Sequence, residues 1–162
     1  MRILIKSRAD IEAISKIPFE AHTAIISISD ADMGFAELTH KPDYLLQIAF
    51  DDVDNDVFID ELGREPNAEE REYLEKKYNM LTDSQATAIA TFYYEHKDEI
   101  SNLICQCEHG QSRSAAVAAS IMEFRGRRGI AVFASDKYYP NKVVYRKVYS
   151  ALKGIVERKA NL

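Results

Sequence analysis

The residues whose types and spacing carry the most chemistry are Cys107-Glu108-His109-Gly110-Gln111-Ser112-Arg113-Ser114. Five residues separate a thiol from a guanidinium, a glycine lies between them, and a hydroxyl directly follows the arginine. Asn102 to Cys107 reads as a short buried strand and Ala115 to Phe124 as a closely packed helix, so the eight residues form a strand-to-helix turn. In such a turn successive backbone N–H groups point inward, and the positive end of a helix beginning near Ser112 adds to them, which makes a cradle for a phosphate-sized oxyanion. Arg113 has the planar fork that holds two oxygens at once, and Gly110 allows backbone geometry that a side chain would obstruct. The same positive field favours a thiolate at Cys107, and a thiolate beside a bound phosphorus is a nucleophile in position.

These residues need elements to position them. Ile3 to Ile5 and Thr23 to Ile28 read as buried strands, with a helical pattern over Ala9 to Ile17 between them. A third strand, Tyr44 to Phe50, runs straight into Asp51, Asp52, Asp54 and Asp56, and carboxylates at a strand end are where function concentrates. The polar stretch that follows reads as an exposed helical insertion at about 55–80, with a helix after Pro66-Asn67. A second helix start at Thr82 or Asp83 places Ala86, Ile89, Ala90 and Tyr93 on one core-facing stripe. The last helix begins near Pro140, with Val144, Val148, Ala151, Leu152 and Ile155 as its apolar stripe, and Tyr138 and Tyr139 read as packing residues around it. Strands and helices in alternation predict an α/β fold, a central and mostly parallel sheet flanked by helices on both faces, with Cys107 at the C-terminal end of its strand.

Composition narrows the setting. The 162 residues fit one domain spanning 1–162, and 46% hydrophobic with 29% charged residues is the balance of an ordinary globular protein. A net charge of -5 lacks the basic surplus of a nonspecific nucleic-acid binder. The charge is uneven: residues 51–75 hold eleven acids and two bases, whereas 113–162 hold eleven bases and three acids, so an anion site belongs in the C-terminal part. No apolar run is long enough to span a bilayer and the opening MRILIKSRAD lacks a signal-like stretch, so a cytoplasmic protein with no membrane or nucleic-acid partner is expected. Cys105 reads as a core residue, and Cys105, Cys107 and His109 do not match zinc spacings, so no metal site is expected.

At the loop, CEHGQSRS resembles the active-site loop of cysteine-based protein tyrosine phosphatases, specifically the small dual-specificity-like group with its Cys-x5-Arg-Ser/Thr signature. The strand YLLQIAFDD resembles the segment that delivers the family's general-acid aspartate, and YYPNKVVYRKVYSAL resembles the family's last helix, introduced by Pro-Asn. The resemblance covers about 44–152. It implies the phosphatase fold of that group, with Cys107 as nucleophile, Arg113 as clamp on phosphate and transition state, and Ser114 as the hydroxyl that stabilises the departing thiolate. Glu108, His109, Gly110, Gln111, Ser112 and Arg113 would bind the phosphate. Alignment of the strand end favours Asp52 as general acid, then Asp51, then Asp54, and alternation along the strand aims Asp51 and Asp52 at opposite faces.

The implied activity is phosphate-monoester hydrolysis through a phosphocysteine, without metal or organic cofactor, by a monomer acting on a phosphorylated protein or small phosphate ester. The loop's only basic residues are Arg113 and His109, which favours phosphoprotein, phosphotyrosine first, over more highly anionic substrates. Gln106 stands where the family has a histidine before the nucleophile, Glu108 places a carboxylate in the loop, and the insertion lengthens the path from acid to cysteine. The alternative is a non-catalytic phosphate-binding module, a pseudophosphatase.

Overall fold

Four apolar strands, β1 (Arg2–Lys6), β2 (Thr23–Ser29), β3 (Tyr44–Ala49) and β4 (Asn102–Gln106), pair in the order β1-β4-β2-β3, every pair parallel. The computed structural model describes all 162 residues. Parallel neighbours need crossovers: α1 (Arg8–Ile14) lies between β1 and β2, α2 (Asp56–Leu62), α3 (Ala68–Lys77) and α4 (Asp83–His96) lie between β3 and β4, and β2 reaches β3 through residues 30–43 without a helix; α5 (Arg113–Gly126), α6 (Ile130–Phe133) and α7 (Lys142–Ala160) complete the chain.

Side-chain alternation along the strands sorts the core into two layers. Ala24, Ile26 and Ile28 of β2 and Leu103 and Cys105 of β4 bury against α4, α5 and α7, while Ile25 and Ile104 bury against Ile11 of α1 with Ala36 and Leu38. The expected α/β sheet with helices on both faces is therefore present. α4 starts at a capping box between Thr82 and Gln85 and buries the stripe Ala86, Ile89, Ala90 and Tyr93. α7 buries Val144, Val148, Leu152 and Ile155, with Ala151 only half-buried. Ala115 to Ala119 are all fully buried, and these small side chains let α5 pack closely on α7, β1 and β4.

Two elements depart from the sequence reading. α1 ends at Ile14 and not at Ile17, because the next turn is occupied elsewhere: the Ser15 hydroxyl accepts from Thr39 N–H and the Ser15 carbonyl from His40 N–H. Pro18 also disfavours helical backbone at Ile17, whose side chain is exposed. The insertion holds two helices where one was expected. Phe58 of the unforeseen α2 is buried with Leu74, Met80 and Val143 of α7, so the segment is fastened to the domain by a core of its own. No helix is long and apolar enough to cross a membrane.

Because all four strands run in one direction, their C-terminal ends share one edge of the sheet. Ser7, Asp30, Asp52 and Cys107 all follow those ends. This is the edge where parallel α/β sheets present functional groups.

Candidate active site

The loop after β4 is held from outside by its carbonyls. Gln106 is fully buried and uses both ends of its amide: Ser27 Oγ donates to Oε1 at 2.6 Å, and Nε2 donates to the Cys107 carbonyl at 3.0 Å. Arg8 N–H donates to the Glu108 carbonyl at 3.1 Å, Tyr139 N–H to Gln111 at 2.9 Å, and Ala116 N–H to Ser112 at 2.8 Å. The Glu108 side chain turns to Arg8, whose Nε donates to Oε2 at 2.7 Å. Gly110 has φ +66, and a Cβ there would lie 2.7 Å from the backbone of both Lys6 and Ser7, so the turn requires glycine for its conformation and for the close approach of β1.

With the carbonyls engaged, the amides of Glu108, His109, Gly110, Gln111 and Ser112 donate to no acceptor in the protein. The first turn of α5 adds further unpaired N–H groups and the positive end of the helix dipole. His109 and Gln111 have exposed side chains with no hydrogen-bond partner, so they join this cradle through the backbone.

Arg113 directly follows the cradle and is buried. It is 3% exposed; Nη1 donates to the Phe50 carbonyl at 2.7 Å and lies 2.7 Å from Asp30 Oδ1. Nε has no partner, one of only two buried side-chain polar atoms so placed, the other being His96 Nδ1. Nε and Nη2 form the edge of a guanidinium that grips two oxygens side by side, so the ion pair with Asp30 fixes the group while leaving that edge to a ligand. Cys107 Sγ is 3.0 Å from Ser114 Oγ, both buried.

Of the three candidate acids, only Asp52 is joined to the loop: Oδ1 accepts from Ser112 Oγ at 2.8 Å and from Asn141 Nδ2 at 2.9 Å. Both donors hold one oxygen, which leaves Oδ2 for a proton. Asp51 turns away, accepting from Ala31 N–H at 2.8 Å and Asn79 Nδ2 at 3.3 Å, and Asp54 accepts from Asn55 N–H. Cys105 lies wholly inside the sheet, where burial pushes its thiol well above the usual cysteine range and the neighbouring Cys107 adds to the shift. No group of three His, Cys, Asp or Glu side chains is placed to hold a metal ion.

The sequence reading missed Asp30 and Asn141. Asp30 follows β2 as Asp52 follows β3, so the strand-end rule that singled out Asp52 applied equally to it. Asn141 caps α7, its Oδ1 accepting from Val144 N–H at 3.1 Å, and the Pro140-Asn141 start signal was the visible clue. Tyr139 is a correction: it does not pack around α7 but stands 72% exposed beside the loop, while Tyr138 alone packs in the cluster of Ala115, Ala119 and Val132.

No protein-family model matches the chain, and no curated protein matches it in sequence. Among solved structures it is similar to PTPMT1, at 12% identity and TM-score 0.42 over 88% of this chain and 82% of that one. It is also similar to PTPMT1 in complex with PI(5)P, at 11% identity and TM-score 0.42 over 86% and 81%. Values this low do not establish a family.

Proposed function

We propose that the chain is a cysteine-dependent phosphate-monoester hydrolase of the protein tyrosine and dual-specificity phosphatase type, with phosphoprotein, phosphotyrosine first, as substrate. The observation that carries this reading is Arg113, a buried guanidinium with one nitrogen fixed by Asp30 and Phe50 and Nε left unpartnered beside a turn of unpaired amides. Leaving a buried charged donor unpaired costs about 1–3 kcal/mol or more, and a bound oxyanion removes that cost. Those fixed donors also stabilise the charge that develops in transfer, so the reaction requires no metal or organic cofactor.

The proposed reaction has two in-line steps. Cys107 Sγ attacks phosphorus, the S–P bond forms, the P–O bond to the leaving group breaks, and Asp52 gives its proton to the leaving oxygen. Water then attacks phosphorus, Asp52 takes its proton, and the S–P bond breaks to release phosphate and a thiolate stabilised by the Ser114 hydroxyl. Gln106 takes the structural part of the missing histidine by holding the Cys107 carbonyl.

Turnover of an aryl phosphate without added metal, compared between the natural protein and Cys107→Ser, tests this. Activity lost in Cys107→Ser with vanadate or phosphate binding retained supports the reading. Oxyanion binding without turnover in the natural protein assigns the pseudophosphatase alternative instead.

A further inference from the structure

The outer side of β1 has no strand beside it. β1 lies at one end of the sheet and pairs only with β4, where Arg2 N–H donates to the Ser101 carbonyl at 2.8 Å and the Lys6 carbonyl accepts from Cys107 N–H at 3.3 Å. Alternation along the strand therefore turns the backbone N–H and C=O of Ile3 and Ile5 outward, where they make no hydrogen bond to the protein. The opposite edge, β3, is partly covered, because Gln85 Nε2 donates to the Ala49 carbonyl at 2.8 Å. A groove adjoins each face of β1. On the α1 face Leu4 joins Ile14, Ile17, Phe19 and Ile104 around a groove of about 300 Å³, which accounts for the 69% exposure of Ile17. On the α5 face Met1, Ile3 and Met122, with Arg125 and Arg128, line one of about 410 Å³. Lys6, Arg125 and Arg128 pair with no carboxylate, and Glu20, the only acid lining either groove, is held by Arg2 at 2.7 Å.

We infer that the β1 edge is a docking site for an extended acidic segment of a partner protein, which adds to the sheet as a further strand with carboxylates and apolar side chains in alternation. Unpaired backbone on an edge strand is a template for such addition. Charge decides the occupant. If β1 paired with a second copy of itself about Leu4, Arg2 of one copy would stand directly opposite Lys6 of the other, and like charges so placed are destabilising. An acidic segment meets no such conflict. Every second side chain of a strand points to the same face, so its apolar residues enter the groove of Leu4, Ile17 and Phe19 while its carboxylates reach Arg125 and Arg128. Bonds to the Ile3 and Ile5 backbone supply affinity, and the two grooves select the sequence. Held there, the segment lies two strands out from β4, the strand that leads into Cys107, so the partner is recruited beside the loop. The inference stands apart from the phosphatase reading, because no group of the loop takes part in it.

The test is fluorescence anisotropy of a short labelled peptide, glutamate alternating with isoleucine and valine, titrated with the full chain. Binding is expected, and lysine in place of glutamate should abolish it. N-methylation of one alternate set of peptide amides should also abolish it and methylation of the other set should not, because only one set faces β1. Ile3→Pro removes an outward N–H that the fold does not use, and should weaken binding about fivefold or more relative to Ile3→Ala, which keeps that N–H. Arg125→Glu combined with Arg128→Glu should weaken it about three- to tenfold. Should Ile3→Pro fail to fold, the methylated peptides decide alone. No binding, binding indifferent to which set is methylated, or a folded Ile3→Pro that binds like Ile3→Ala overturns the inference. Self-association in sedimentation that Ile3→Pro abolishes assigns the edge to a second copy and overturns it as well.

Discussion

Residues 55–80 and the Cys107–Ser114 loop treat their polar groups in opposite ways. In the acidic segment Glu61 pairs with Lys77 and Tyr78, Glu65 with Arg71, Glu70 with Arg64 and Asn67, Glu72 with Lys76, and Glu75 with Lys147. These groups lie at the surface, where water would have served them nearly as well. In the loop five amides have no partner in the protein, and neither does the buried Arg113 Nε. Most carboxylates of the stretch that is conspicuous by its charge are thus paired, and the loop holds the unmet hydrogen-bonding capacity. Unmet capacity inside a fold is the better pointer to a ligand.

The sharpest way to break that contrast is at Asp52, whose carboxylate accepts from Ser112 of the loop. Asp52→Asn should slow hydrolysis of a poor leaving group by about 100- to 10,000-fold and of a good leaving group far less, because only the former needs the proton. Asp51→Asn and Asp54→Asn, whose carboxylates make no bond to the loop, should leave that ratio of leaving groups alone. Steady-state rates over a series of aryl phosphates check it.

Next in size is the arginine pair. Arg113→Lys keeps a cation opposite Asp30 but loses the two-pronged edge, and a fall of about 100- to 1,000-fold in kcat/KM is expected. Arg64→Lys, on an exposed pair in the acidic segment, should leave kcat/KM within experimental scatter.

A pair of glycines separates the regions by stability. Gly63 and Gly110 both have positive φ, +69 and +66, but an added Cβ meets nothing within 4 Å at Gly63 and backbone at 2.7 Å at Gly110. Chemical denaturation should give a cost of about 1 kcal/mol for Gly63→Ala, the strain of a left-handed residue, and about 3 kcal/mol or more for Gly110→Ala once overpacking is added.

The smallest effect is electrostatic. Hydrogen bonds from Arg64 and from the Asn67 backbone hold the Glu70 carboxyl down at about 2, against an ordinary 4.5. A depressed carboxylate contributes stability above its unfolded value and loses it as the pH falls through the folded one. The stability difference between the natural protein and Glu70→Gln should therefore be constant above about pH 4.5 and vanish as the pH approaches about 2, followed by thermal unfolding at a series of pH values.

How much of this was legible in the sequence depended on how local each cause is. The loop was readable because thiol, glycine, arginine and hydroxyl share one turn, and α4 and α7 were readable because 3.6-residue periodicity survives over several turns. Asp52 was singled out because its strand runs into it. α2 was not found: seven residues are too few to express a period, its start lacks a side-chain cap, and Phe58 finds its partners on α3 and, far along the chain, at Val143. The Asp30–Arg113 pair spans 83 positions and the Asn141–Asp52 bond 89, so only the parallel sheet, which gathers its strand ends on one edge, reveals them. Tyr139 was misread because adjacency to Tyr138 suggested one environment for both, whereas one ring packs and the other faces water.

The central claim is that the groups left unpaired at the loop serve phosphoryl transfer to Cys107, and capture of the intermediate tests it most directly. The measurement is acid quenching during turnover of an aryl phosphate with a good leaving group, followed by mass spectrometry of the peptide containing Cys107. The account predicts one phosphoryl group on Cys107, more of it in Asp52→Asn, where the first step needs no acid but the second lacks its base, and none in Cys107→Ser. A phosphoryl group on another residue, or undiminished turnover in Cys107→Ser, would contradict it.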